Sequence, residues 1–397
     1  MNTFKKITIR IYQKMMFLMG LMVKFREPKI LNNISELCSL IKDKKNVLLL
    51  SGNHFKETDY YKELKKKLEE VTTIYTYTNI PSDPDIKSIE AAVSFCKEYN
   101  IDLVIGIGGG STMDACKIIC SRMTNDMPIP KMKGLLKIKK KPLDMILIPT
   151  TAGTGSECTV AAVVSDLDNN KKYAVSDPKL IPYYTLLDPL ALKSLSPFYT
   201  ATTGMDALTH AVEAYVGRSN TKRTKENAVE AIDLILSNLE KSYLDSDDLI
   251  SKKNMQIASY KAGLAFTKAY VGYVHGMAHS IAAYYHYSHG YLNAIILPNV
   301  LRAYGKSVYK KLGNLAIKLR MCPKDTNLEQ ATNVFIDKIV ELNEHMGIGS
   351  TINTTFTKDS ISNMMKHCKN EVEKLYPVPC FLSDNELEKL YNIIVKN

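Results

Sequence analysis

The chain has 397 residues, 45% of them hydrophobic and 23% charged, with a formal net charge of +11. This is ordinary globular composition with material for two domains, and it excludes a disordered or collagen-like chain. The eight cysteines include no C-x-x-C pair, which argues against a zinc ribbon or disulfide framework and for reduced thiols in a cytoplasmic protein.

Near the N-terminus, Met15 to Val23 is apolar but too short to cross a bilayer. Lys5, Lys6 and Arg10 upstream imitate a signal peptide, yet Lys24-Phe-Arg-Glu-Pro follows where small residues would mark a cleavage site. The expectation is an N-terminal amphipathic helix packed on the body, with no membrane association. From Val47 onward, short apolar runs alternate with stretches of helical period. Strands are expected at Val47–Leu50, Thr72–Thr78, Leu103–Ile107, Met145–Ile148 and Tyr184–Leu187. A hairpin is expected between Ala161–Asp166 and Tyr173–Val175, turning around Asp168-Asn-Asn170. Helices are expected at Glu57–Val71, Ile86–Tyr99 and Thr112 to about Met123. After Pro197 the texture becomes helical to the end, with long helices at 223–240, 249–270 and 327–346. Together these imply an α/β domain at 1–195 with a Rossmann-like, mostly parallel sheet, and an all-helical domain at 196–397.

The densest basic cluster, Lys131 to Lys141, carries no interleaved aromatics and no nucleic-acid motif. It reads as a solvated loop or edge of a lysine-rich protein that adds a modest attraction for an anionic dinucleotide, and no nucleic-acid partner is expected.

Two loops follow predicted strands. In Gly106-Ile-Gly-Gly-Gly-Ser111 the glycines let the backbone approach a ligand, and the helix that opens there offers free N–H groups to a phosphate. Ser111 replaces the third glycine of G-x-G-x-x-G, so on this motif alone a ligand-free turn and a phosphate cradle stand level. The second loop, Ile148-Pro-Thr-Thr-Ala-Gly-Thr-Gly-Ser-Glu157, supplies hydroxyls suited to ribose and diphosphate. Two such loops at the carboxyl ends of parallel strands favour a dinucleotide.

In the second half, Asp206 and His210 stand at i, i+4, and His275, His279, His286 and His289 fall within fifteen residues. Asp206, His210, His275 and His289 read as a metal site: three imidazoles and a carboxylate suit a divalent transition metal better than Mg²⁺ or Ca²⁺. A helical i, i+4 pair is the plain alternative for Asp206 and His210 alone. His54, His345 and His367 read as ordinary structural histidines, and His286 is left without a role.

Taken together, Gly108-Gly-Gly-Ser-x-x-Asp114, Pro149-Thr-Thr-Ala-Gly-Thr-Gly-Ser-Glu157, Gly204-Met-Asp-Ala-Leu-Thr-His-Ala-Val-Glu213, His275-Gly-Met-Ala-His279 and His289-Gly-x-x-Asn293-Ala resemble the iron-containing alcohol dehydrogenases, the group that includes lactaldehyde reductases and butanol dehydrogenases. The resemblance spans roughly residues 30 to 390. It implies the dehydroquinate synthase-like fold of that family and reversible oxidation of a small primary alcohol to its aldehyde by a homodimer. Fe²⁺ is implied at Asp206, His210, His275 and His289, with Zn²⁺ or Mn²⁺ as alternatives, and His279 is implied as the catalytic or proton-relay group. For the cofactor, Gly108, Gly109, Gly110, Ser111 and Asp114 match the pyrophosphate turn, Thr150, Thr151 and Thr154 match contacts in the second loop, and Lys172 matches a cofactor-contacting lysine. Phe266 matches a position lining the substrate channel.

Two departures bear on specificity. Gly52 stands where NAD-preferring relatives often carry Asp, so NADP is expected to be accepted alongside NAD. Ala282-Ala-Tyr-Tyr285 replaces a glycine-containing stretch, which leaves the substrate open. The competing readings are a zinc-dependent glycerol dehydrogenase-like enzyme or a dehydroquinate synthase-like lyase of the same fold, and a non-catalytic metal- or nucleotide-binding protein.

Overall fold

In the computed structural model, which describes residues 3–23, 25–169 and 171–396, the apolar runs become strands and the periodic stretches become helices. The order is α1 (Thr3–Met22), β1 (Lys29–Leu31), α2 (Ile34–Ile41), β2 (Asn46–Gly52), α3 (Asp59–Glu69), β3 (Thr73–Ile80), α4 (Ile86–Glu98), β4 (Leu103–Gly108) and α5 (Gly110–Thr124). Next come α6 (Ile129–Met132), β5 (Gly134–Leu135), β6 (Met145–Pro149), β7 (Ala161–Asp166), β8 (Lys171–Ser176) and β9 (Tyr184–Leu186). The remainder is helical: α7 (Pro197–Val216), α8 (Lys222–Leu244), α9 (Leu249–Ala269), α10 (Tyr273–Tyr285), α11 (His289–Tyr304), α12 (Lys306–Lys318), α13 (Leu328–His345), α14 (Lys358–Leu375) and α15 (Asp384–Ile393).

A six-stranded sheet runs β1-β9-β6-β4-β2-β3, with every pair parallel. A smaller sheet runs β5-β8-β7, with β7 and β8 antiparallel. Val47 to Leu50 in β2 and Val104, Ile105 and Ile107 in β4 are fully buried, as strands covered on both faces must be. Helix starts follow local chemistry: Asn33, Thr58 and Asp85 accept hydrogen bonds from Glu36, Tyr61 and Ser88 amides at the starts of α2, α3 and α4.

The hairpin forms as the sequence implies, although Asn170 of its expected turn lies outside the described residues. Two strands escaped the sequence reading. β1 has three residues, and β5 has two residues inside the lysine-rich segment, so neither is long enough to show a period. The segment forms an edge of the smaller sheet through β5, with Met132 and Ile138 buried beneath its exposed lysines.

Chain contacts form two units. One is the α/β body at 24–196 together with 246–263. The other is helical and joins 1–23, 197–245 and 264–397. The sequence reading drew a single boundary at 195/196. The difference lies in α1, which packs on α14, and in the first two-thirds of α9, whose Gln256 and Tyr260 bond to Pro149, Asp188 and Pro28 carbonyls. Helical period alone does not say which body a helix packs on.

Candidate active site

In the helical unit, α7 carries Asp206 and His210 one turn apart, α10 carries His275 and His279 one turn apart, and His289 opens α11. α11 packs against both α7 and α10, which brings these side chains together. Asp206 Oδ1 lies 3.9 Å from His210 Nδ1, 3.8 Å from His275 Nε2 and 3.5 Å from His289 Nε2. Donors each about 2.1 Å from one ion in a tetrahedron stand about 3.4 Å apart. Asp206, His210 and His275 place one donor atom each within 4.8 Å of one another, a spacing that could hold a divalent transition metal, and His289 flanks them on Asp206. Asp206, His210 and His275 are buried, whereas His289 keeps 38% of its side chain exposed.

Supporting groups fix these side chains. The Glu213 carboxylate, two turns after Asp206 on α7, accepts the Gly272 and Val274 amides at 2.8 Å each and lies 2.6 Å from His275 Nδ1. It therefore caps the N-terminus of α10 and leaves His275 Nε2 directed toward Asp206. Burial, then the neighbouring imidazoles of His210, His289 and His279, holds the His275 pKa well below its usual value, which favours the neutral form that ligates metals. Burial likewise raises the Glu213 carboxyl to about 8, against the opposing pull of its backbone hydrogen bonds. Asn293 directs its amide nitrogen at Asp206 Oδ1 (2.7 Å), His289 Nε2 (3.1 Å) and His275 Nε2 (3.4 Å). Phe266 stacks on His210 with ring centroids 4.1 Å apart.

His279 stands apart from the donor group. Its ring stacks on His289, and its Nδ1 lies 2.9 Å from Glu371 Oε1 on α14. The Tyr376 hydroxyl donates to the same Glu371 oxygen. Burial pulls the His279 pKa down, but the Glu371 carboxylate, together with Asp206 and Glu213, offsets it, and the net shift is upward. His286, unassigned from sequence, closes α10 in the left-handed conformation at φ 51°.

In the α/β unit, the two loops interlock at the ends of β4 and β6. Thr150 N donates to Gly108 O at 3.0 Å. A Cβ on Gly110 would lie 2.8 Å from Thr154 Cγ2, and one on Gly108 would lie 2.5 Å from Thr112 Oγ1, so glycine is required at both positions. Gly109 is the N-cap of α5 and gives no side-chain cap, leaving the amides around Gly110 and Ser111 to another acceptor. The Thr151 hydroxyl is buried without a hydrogen-bond partner. Asp114 turns inward, accepting Ser156 Oγ at 2.6 Å and the Val163 amide at 2.9 Å, and so ties the second loop to α5. Lys172 on β8 is exposed and pairs with Asp83 at 2.5 Å. Gly52 ends β2, and a Cβ there would meet only ordinary contacts at 3.8 Å.

Comparison with known proteins decides the family. Residues 26–189 match the iron-containing alcohol dehydrogenase model, and residues 200–392 match the C-terminal model of the Fe-containing alcohol dehydrogenase family. The chain belongs to the iron-containing alcohol dehydrogenase family. It is 35% identical over 287 residues to alcohol dehydrogenase 4 of Saccharomyces cerevisiae, covering 72% of this chain and 75% of that one. It is 32% identical over 274 residues to lactaldehyde reductase of Escherichia coli, covering 68% and 71%. A solved sulfoacetaldehyde reductase from Bifidobacterium kashiwanohense, in complex with NAD⁺, shares the fold with a TM-score of 0.85 at 22% identity, covering 94% and 98%. As a member of this alcohol dehydrogenase family, the protein is an NAD(P)-linked oxidoreductase of alcohols and aldehydes.

Sequence reasoning quoted Glu213 and Asn293 inside motifs of this alcohol dehydrogenase family but gave them no role. Their spacing held a signal, since Glu213 is seven residues beyond Asp206 and Asn293 four beyond His289, on the faces that carry those residues. Glu371 offered none, being 92 residues from His279.

Proposed function

We propose that this enzyme interconverts a small primary alcohol and its aldehyde with NADP(H) or NAD(H), using Fe²⁺ held by Asp206, His210, His275 and His289. The observation that carries the reading is the convergence of three imidazole nitrogens on Asp206 Oδ1, with Glu213 fixing the tautomer of one of them. When bound, the metal supplies Lewis-acid polarisation of the substrate oxygen, and the nicotinamide supplies the hydride chemistry. His279 holds the proton exchanged with the substrate oxygen, and Glu371 keeps that imidazole oriented and charged. Phe266 gives the donor group an apolar neighbour that limits water. In the α/β unit, the amides at the start of α5 receive the pyrophosphate, and Thr150, Thr151 and Thr154 contact the ribose and diphosphate. The absence of a carboxylate at Gly52 supports acceptance of NADP. Eight free thiols support a cytoplasmic setting, and a homodimer is the working assembly.

Anaerobic purification with elemental analysis, followed by an alcohol and aldehyde panel with both cofactors, tests the reading. About one iron per chain and turnover of short aldehydes are expected. Stoichiometric zinc with polyol oxidation only would replace it with the glycerol dehydrogenase-like alternative.

A further inference from the structure

The first helix meets the body through Arg10, Gln13 and the half-buried Ile9, Met16 and Phe17. α1 lies N-terminal to the family match, which begins at residue 26. Gln13 is buried and donates to the Tyr376 carbonyl at 2.8 Å. Lys5 pairs with Glu373, and the Arg10 guanidinium sits 4.0 Å above the Phe381 ring. The opposite side exposes Phe4, Ile7, Ile11, Met15 and Leu18, each at least half open to solvent. Their spacing of three and four residues makes one stripe about 21 Å long. An ordinary surface helix turns such a stripe toward the core.

Along one edge of the stripe runs a groove of about 470 Å³ between α1 and Pro379–Phe381, lined by Lys6, Arg10, Lys14 and Arg218 and by no carboxylate. Burial, and then the nearby Arg218 guanidinium, depresses the Arg10 pKa to about 10. Residues 3–22 contain four cations and no acidic residue.

We infer that α1 seats the enzyme on an anionic lipid surface, with the apolar stripe entering the acyl boundary and a lipid phosphate entering the Lys6–Arg10–Lys14–Arg218 groove. Charge complementarity selects this occupant over a second copy of the chain, since two α1 helices face to face would set cations against cations. An apolar face with basic residues at its edge is the pattern of helices that lie in the membrane interface. Among the described residues no helix is long and apolar enough to cross a membrane, so the association is with its surface.

Cosedimentation of the full-length enzyme with two vesicle types tests this: phosphatidylcholine alone, and phosphatidylcholine with about 30% phosphatidylglycerol. Binding is expected only to the anionic vesicles and should weaken as salt is raised. Lys6→Gln with Lys14→Gln should reduce partition by about fivefold per lysine. A separate Ile7→Ser, Ile11→Ser, Met15→Ser variant should abolish binding while solution turnover is unchanged. The inference is overturned if the wild type stays in the supernatant, binds both vesicle types equally or binds as well after both sets of substitutions. It is equally overturned if light scattering shows the stripe variant losing a dimer that the wild type forms.

Discussion

Glu213 Oε2 lies 2.6 Å from His275 Nδ1, a carboxylate on α7 holding an imidazole on α10. The same carboxylate satisfies two backbone amides at the start of α10, so the helix terminus and the imidazole share one anchor. Glu213→Gln keeps the size of the side chain but places an amide donor where only acceptors fit. Metal affinity measured by chelator competition should fall about 10- to 100-fold in the folded variant. An unchanged affinity would show that Glu213 serves only the helix.

The five clustered polar side chains should divide into two groups by metal content. Asp206→Ala, His275→Ala and His289→Ala each remove a group at the point of convergence, and elemental analysis should find little metal, with turnover nearly lost. His279→Ala should retain metal, because His279 Nδ1 is directed at Glu371. Its turnover should fall about 100-fold or more, the scale of a lost general acid–base group. Metal loss in His279→Ala would place it among the ligands.

Gly52→Asp tests the cofactor preference. A Cβ at Gly52 meets nothing closer than 3.8 Å, so the substitution is sterically tolerated at the end of β2. The added carboxylate would repel a 2′-phosphate and offer acceptors to ribose hydroxyls. The ratio of kcat/KM for NADPH to that for NADH should drop by about tenfold or more, an energy difference of about 1.4 kcal/mol. An unchanged ratio would place the adenosine ribose elsewhere.

The sheet was legible because β2, β4 and β6 are unbroken apolar runs, and the helical half because its period persists from residue 200 onward. Of the candidate donors, Asp206 and His210 were legible as a pair because they stand four residues apart on one helix, whereas His275 and His289 are fourteen apart on different helices and meet through the packing of α10 and α11. What escaped was of two kinds. Elements as short as β1 and β5 carry no period, and partnerships such as His279 with Glu371 are made only by packing α10 on α14. Which face of α1 meets the body also escaped, since apolar residues lie on both its inward and its outward sides. Asp114 was legible as part of the pyrophosphate-turn motif, but its bonds to Ser156 and Val163 depend on how the second loop folds back over α5.

Gly108→Ala probes how closely the first loop is built. The new Cβ would lie 2.5 Å from Thr112 Oγ1 and 2.6 Å from Thr112 Cβ, and Thr112 is buried on α5 with little room to yield. Forcing α5 away from β4 should cost about 1–3 kcal/mol in a denaturant titration. It should also weaken dinucleotide binding measured by fluorescence quenching, because the amides that open α5 move with the helix. Stability loss with unchanged cofactor affinity would separate the loop from the binding site.

Glu157 gives the pH dependence its sign. This carboxyl is buried in the α/β unit with Oε1 unpartnered, and burial lifts its pKa from 4.5 to about 7. Below about pH 4.5 both folded and unfolded chains hold the proton, and its contribution to stability is fully present. Between 4.5 and 7 the folded chain keeps a proton that the unfolded chain has released, so stability falls as pH rises, and above 7 the contribution is gone. The full span corresponds to about 3 kcal/mol. Glu157→Gln mimics the protonated form and removes this slope. In urea titrations, the stability of the Gln variant relative to wild type should therefore rise between about pH 5 and pH 8 by up to that amount. Parallel pH curves for the two proteins would show that Glu157 is already ionised, held by the buried Lys117 ammonium that lies among its electrostatic neighbours.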